Sequence, residues 1–133
     1  MPVVTRIDHE SRIVYNSLSG LVTLKDFDEL QSTVGMDASL FGYDEIFNFT
    51  TADEWAISND EVIKIAKKAN TLPSLDPNAC LAVVCTSFKG RSLVKLYSFI
   101  KKMLGIKSRV VHVFDTVDKA EVWVRSQAKS QKR

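Results

Sequence analysis

The six residues from Cys80 to Cys85 are all apolar, with no alternation between apolar and polar positions. A strand with one wet face alternates, so this segment reads as a central strand covered on both faces. That requirement asks for a sheet with helices packed against it, and much of the remaining sequence supplies them.

Residues 3–8 and 12–18 read as two strands parted by the polar break His9-Glu10-Ser11, a β-hairpin that Ser19-Gly20 ends. Thr23 caps a first helix whose opening is acidic (Asp26, Asp28, Glu29), which suits the positive end of the helix dipole. Leu24, Phe27, Leu30, Gln31 and Val34 follow helical spacing, with Gln31 as the polar exception, and Gly35 marks the stop. A third strand is expected over 45–50, then a loop over 50–58 that carries Asp53, Glu54 and Trp55. Ser58-Asn59-Asp60-Glu61 is a capping box, and Val62, Ile65, Ala66 and Ala69 line one face of the second helix. Pro73 and Pro77 punctuate the loop before the central strand. The third helix covers about 89–104, with the stripe Leu93, Leu96, Tyr97, Ile100, Met103 and Leu104. A fifth strand over 109–114 and a last helix, capped at Asp115 or Thr116 with Val117, Ala120, Trp123 and Val124 inward, complete the order. The expectation is an α/β fold, β-β-α-β-α-β-α-β-α, with a five-stranded, mainly parallel sheet, an N-terminal antiparallel hairpin and four helices. A single domain over 1–126 and a basic tail over 127–133 account for the 133 residues.

Composition removes several classes. Apolar residues at 45% and charged residues at 26% are ordinary for a soluble globular chain, and five Gly and three Pro exclude collagen-like and low-complexity sequences. The apolar runs are too short to span a bilayer. Met1 to Arg6 shows no basic segment followed by a long apolar stretch, so no signal peptide is expected. An offset of five puts Cys80 and Cys85 on opposite faces of one strand, out of reach of a disulfide. Without a disulfide framework a cytoplasmic location is expected. The two histidines, His9 and His112, are far apart, so no metal-ligand spacing appears. The phosphate-binding Gly-x-x-x-x-Gly-Lys-Ser/Thr loop, the dinucleotide fingerprint and the Gly-x-Ser-x-Gly elbow are all missing. No cofactor and no catalytic residue is expected.

The net charge of +2 conceals an asymmetry. Residues 1–66 hold four basic and twelve acidic residues, a balance of −8, whereas residues 67–133 hold fourteen basic and four acidic, a balance of +10. Such a dipolar molecule attracts anionic ligands, acidic partners or its own copies, so a homo-oligomer stays open. The basic residues Lys95, Lys101, Lys102, Lys107, Arg109, Arg125, Lys129, Lys132 and Arg133 read as a solvated face. No aromatics are interleaved on the outer face of the third helix, so no nucleic-acid partner is expected.

The opening hairpin, Gly20-Leu21-Val22-Thr23 and the closing segment carry a family resemblance over residues 3–126. The closing segment is Arg109-Val110-Val111-His112-Val113-Phe114-Asp115, then Asp118-Lys119-Ala120-Glu121-Val122-Trp123-Val124. The chain resembles the SpoIIAA-like fold of STAS (anti-anti-sigma) domains and of a broader group of small SpoIIAA-like proteins. These are core and capping residues, so the resemblance is specific for fold and weak for activity. In anti-anti-sigma STAS domains a phosphorylatable Ser lies in an Asp-Ser-Ser-Gly-like turn at the start of the second helix. Here that turn is missing, and Ser58 is the residue near its place. Asp60 and Glu61 beside it would repel an added phosphate.

In open α/β sheets, ligands collect beyond the carboxyl ends of the strands. Three segments answer that description: 50–58, 86–92 and Asp115-Thr116. In the middle one, Thr86, Ser87, Lys89, Gly90 and Arg91 combine hydroxyls, a helix start and two cations, a set that suits a phosphate or carboxylate. Trp55, in the first, either lines a pocket or folds over the edge of the core. The expected function is a non-catalytic binding or regulatory module, taking a protein partner or a small apolar or acidic ligand near the strand ends. The alternative is an enzyme or sensor that binds an anionic small molecule at Lys89 and Arg91.

Overall fold

The structure is a computed structural model that describes residues 3–105 and 110–131. β1 (Val3–Asp8) and β2 (Ile13–Thr23) form the antiparallel hairpin, with Val3 opposite Leu18 and Asp8 opposite Ile13. Asp8 closes its turn by accepting the Ser11 and Glu10 amides, each at 3.1 Å. Hydrogen bonding from the Ser11 backbone, above all, holds the Asp8 carboxyl below its ordinary range. The rest of the chain is α1 (Leu24–Thr33), a 3-10 turn (Ala38–Leu40), β3 (Asp44–Ala56), α2 (Asn59–Ala69), β4 (Cys80–Val84), α3 (Phe88–Met103), β5 (Val110–Phe114) and α4 (Val117–Gln131).

The five strands lie side by side in chain order, β1-β2-β3-β4-β5, and β2 to β5 run parallel. This is the α/β architecture that the sequence leads one to expect. The order has a direct consequence for layering. Each parallel strand joins its immediate neighbour through a right-handed crossover, so α1, α2 and α3 lie on one face. α4, which follows the last strand, covers the other. The core divides accordingly. Leu18, Leu30, Phe49, Val62, Ile65, Val83 and Ile100 pack between the sheet and the first three helices. Ile13, Tyr15, Ile46, Ala82, Val84, Ala120 and Val124 pack between the sheet and α4. Along β4, Leu81 and Val83 face one layer and Ala82 and Val84 the other, which is the two-sided burial that an unbroken apolar run requires.

Both expected cysteine positions hold. Cys80 and Cys85 are buried and form no disulfide. By strand parity Cys80 shares the face of Ala82 and Val84, while Cys85 joins the core of the opposite layer.

Two strands are longer than their sequence suggests. β2 does not end at Ser19-Gly20, and β3 does not end at Thr50: they stay paired to Thr23 and Ala56, with Val22 opposite Trp55. The register shifts twice, between Ser17 and Ser19 and between Gly20 and Leu21, and each shift inserts one extra residue into β3. Gly20 has φ +68°, so it absorbs a bulge where a turn was expected. At the first shift the Asn48 side chain accepts the Thr50 amide at 3.0 Å and its hydroxyl at 2.8 Å. Pairing of β3 with β4 stops at Asn48 and Val84, so the ends of β2 and β3 continue as a two-stranded ribbon past the rim of the sheet. Asp53, Glu54 and Trp55 therefore stand on a strand and not in a loop. At the other end of the chain, helix α4 extends to Gln131, through most of the segment expected as a tail. Lys107, Arg109, Lys132 and Arg133 lie outside the described residues.

Candidate functional site

The start of α3 is built as its sequence implies. Ser87 is the N-cap and its Oγ accepts the Gly90 amide at 3.0 Å. Gly90 has no room for a side chain unless its neighbours shift. A Cβ at this position would come within 2.4 Å of Cys85 Sγ and 2.6 Å of the Trp55 ring. Thr86 and Lys89 are exposed. Arg91 turns back and donates from Nε to the Cys85 carbonyl at 2.8 Å. Across the rim, Asp115 is paired with Lys119 at 3.1 Å. Its carboxyl is held below the ordinary range first by the Lys119 hydrogen bond and charge, with a smaller contribution from Arg91. Thr86, Ser87, Lys89, Gly90 and Arg91 thus share one turn, and Trp55 comes to them only through its contact with Gly90.

Trp55 folds inward. Its ring lies 4.6 Å from that of Phe49, and Phe49 in turn neighbours Phe47 at 6.0 Å and Phe27 at 6.3 Å. This aromatic row forms part of the wall of a cavity of about 150 Å³ between the sheet and α1, α2 and α3. The sheet contributes Phe47, Phe49, Leu81 and Val83; the helices contribute Leu30, Gln31, Ile65, Leu93 and Tyr97. Such a space follows from the layer's composition. Three helices rest here on large aromatic rings, and rigid rings leave gaps that neighbouring side chains fill incompletely.

The lining is apolar except for a few groups concentrated toward the amino ends of the parallel strands. Asn16 accepts the Thr5 hydroxyl at 2.8 Å and donates from Nδ2 to Glu45 Oε2 at 3.1 Å. Lys101, only 3% exposed, places its ammonium 5.1 Å from the centre of the Tyr97 ring. Gln31, 8% exposed, donates from Nε2 to the Ile65 carbonyl at 3.2 Å. Its Oε1 is sealed from solvent and has no hydrogen-bond partner.

These groups are where reading the sequence fell short. Lys101 does not belong to the solvated face of α3. It lies one turn beyond Tyr97, beside Ile100, and its side chain is buried with theirs. Gln31 did leave a trace, as the one polar residue in the apolar stripe of α1. Asn16 left none, because a polar residue in a strand ordinarily marks a wet face. The strand order also bears on the rim, the expected place of a ligand crevice. Such a crevice forms where the strand order of an open sheet reverses, and this order never reverses.

Ser58 is the N-cap of α2. Its Oγ accepts the Glu61 amide at 3.2 Å while the Glu61 carboxylate accepts the Ser58 amide at 2.9 Å, which completes the capping box. His112 is exposed on the edge strand and stacks on Trp123 with centroids 4.5 Å apart. On the same face the Tyr15 hydroxyl donates to Glu121, and Arg6 lies 3.9 Å above the Tyr15 ring. Burial, and then the Glu121 carboxylate, raise the Tyr15 hydroxyl above its ordinary pKa. Among the described residues, no group of three or more His, Cys, Asp or Glu could hold a metal ion, and no helix is long and apolar enough to cross a membrane.

No family model and no curated protein matches the chain. Its architecture does match a solved structure. The crystal structure of an uncharacterised protein of the DUF3478 family, with a SpoIIAA-like fold, from Shewanella loihica PV-4, superposes with a TM-score of 0.58. The match covers 92% of this chain and 91% of that one, at 10% sequence identity. This chain has a SpoIIAA-like fold, as its opening hairpin and closing strand-helix segment led one to expect. At that identity the likeness carries the fold and no activity.

Proposed function

We propose that this protein is a non-catalytic binding module, and that its ligand is a small, mainly apolar molecule held between the sheet and α1, α2 and α3. The observation that carries this reading is the cavity of about 150 Å³. A cavity of about 150 Å³ in an apolar protein interior is enough for a benzene-sized ring. It is smaller than the ~300–1,000 Å³ of drug-sized sites, so the fitting ligand is one ring or a short chain. The absence of histidine from the lining supports binding over catalysis. Its carboxylate, Glu45, already accepts from Asn16.

The test is a titration with toluene followed by methyl resonances of Val83, Ile65 and Leu93. Saturable shifts confined to these residues are expected, and they should disappear in Leu93→Phe, which fills the space from the half-buried α3 side. Absence of saturable shifts, or binding unchanged in Leu93→Phe, would remove the proposal.

A second reading has a separate basis. Lys89 and Arg91 oppose the dipole of α3 unless an anion offsets them. Thr86, Ser87 and Gly90 would complete such a site. Arg91 is partly engaged by the Cys85 carbonyl, so the cavity is the better-supported site. A phosphate titration at low salt that shifts Lys89 and Gly90 in the unmodified protein, but not in Arg91→Ala, would favour the anion.

A further inference from the structure

We infer that the outer face of α3 docks on an anionic lipid membrane, with Phe88, Phe99 and Met103 entering the headgroup region and the lysines beside them meeting the lipid charge. The inference is independent of the cavity, which Leu93 and Tyr97 line from the inner side of the same helix.

The inner stripe of α3 serves the core, but the helix carries a second apolar stripe. Phe88, Phe99 and Met103 are 87%, 58% and 70% exposed. Met103 therefore leaves the core stripe that its spacing suggested, and the outer face does carry aromatics. Positions eleven and fifteen residues after Phe88 fall within about 60° of it around a helix. The three side chains thus form one band, about 22 Å long, with half-buried Leu96 along its border. On the other side of Phe88, Lys95 and Lys102 fall within about 40° of it, and both are exposed, as is Lys89. Along the whole of α3, Lys89, Arg91, Lys95, Lys101 and Lys102 are basic and no residue is acidic.

The charge calls for an anionic partner. The face is the outside of a helix, a convex ridge, so a folded protein would have to supply a long groove to receive it. A bilayer interface needs no groove, because headgroups part around an apolar side chain. Lysines beside a band of Phe, Leu and Met form the pattern of a helix that lies in an anionic interface. A nucleic acid would stack on the two rings and leave Leu96 and Met103 wet. A second copy meeting this face about a two-fold axis would set its lysines against the same lysines.

The test is co-sedimentation with vesicles at low salt, of phosphatidylcholine alone or mixed in equal parts with phosphatidylglycerol. The protein is expected to bind the mixed vesicles about tenfold or more tightly than phosphatidylcholine alone. Replacing both rings, Phe88→Ser with Phe99→Ser, should weaken that binding about tenfold. Both rings are exposed, so the urea midpoint should stay where it is. Lys95→Gln with Lys102→Gln should weaken binding to a similar degree. No binding of the unmodified protein to mixed vesicles would overturn the inference. Binding undiminished by loss of both rings would also overturn it, since charge alone would then account for the contact. Light scattering at low salt and titration with a thymidine oligonucleotide cover the other occupants. An oligomer or an oligonucleotide complex that the same ring replacements abolish would assign the face to a second copy or to nucleic acid, and would overturn the membrane.

Discussion

The two faces of the sheet are made from adjacent residues of the same strands and close to different degrees. Under α4 the meeting residues are small: Ala82, Val84, Ala120 and Val124 are all 0% exposed. Small side chains let the helix approach the sheet closely at this point, while a pocket of about 230 Å³ lies farther along the same face, between Arg6, Tyr15, Ile46 and Val117. On the opposite face α1, α2 and α3 rest on Phe27, Phe47, Phe49 and Trp55, and the cavity lies among them. The lesson is a difference in packing within one small domain. Small aliphatic residues meet at the centre of the single-helix face, and large rings surround a cavity on the three-helix face.

The largest expected effect lies on the α4 face. Ile46→Ala should cost about 2–5 kcal/mol in urea denaturation, because a side chain only 1% exposed is lost from the core. Leu93→Ala, beside the cavity, should cost less than half as much, since Leu93 is half-buried and already borders unfilled space. Equal costs would erase the difference between the faces. Gly90→Ala should cost about 1–3 kcal/mol by forcing the new methyl against Cys85 and Trp55. It should also shift the Trp55 fluorescence, which would confirm that the ribbon tryptophan is part of the cavity wall. Ser58→Ala should cost about 1 kcal/mol through loss of the α2 cap and leave toluene binding unchanged.

The pH dependence is expected to come from groups around α4 and the hairpin turn. Tyr15, on the α4 side, has its folded pKa raised by burial and by Glu121. Its contribution is complete below about pH 10, the unfolded value, and is lost as pH rises through the folded one. Alkaline denaturation of Tyr15→Phe should be correspondingly less steep. Asp8 and Asp115 have lowered folded values. Their contributions are present above about pH 4 and fade as pH falls through the folded values. Asp8→Asn should therefore lose less stability than the unmodified protein on acidification.

The framework was legible because its signals are local. The unbroken apolar run Cys80 to Cys85 announced a strand covered on both faces, and Ser58 with Glu61 announced the start of α2. The ribbon was not legible. Ser19-Gly20 and the Asp53-Glu54 pair look like breaks, and only the partner strand turns them into bulged pairing. The cavity was illegible for a related reason, since unfilled space belongs to several elements at once. Gln31 could have been noticed as a polar residue on a core-facing stripe. Lys101 could not, because a lysine near the end of a helix is ordinarily a surface residue whose charge suits the dipole.

The most direct measurement uses one substitution at two adjacent sites. Val83 borders the cavity and Val84 faces α4, so Val83→Ile and Val84→Ile add the same methylene to opposite faces. Val84→Ile should destabilise by about 1–3 kcal/mol through overpacking. Val83→Ile should be neutral or stabilising by about 0.5–2 kcal/mol, as cavity-filling changes are, and should weaken toluene binding. Equal destabilisation by the two, with toluene binding unaffected, would contradict the difference between open space beside Val83 and close packing around Val84.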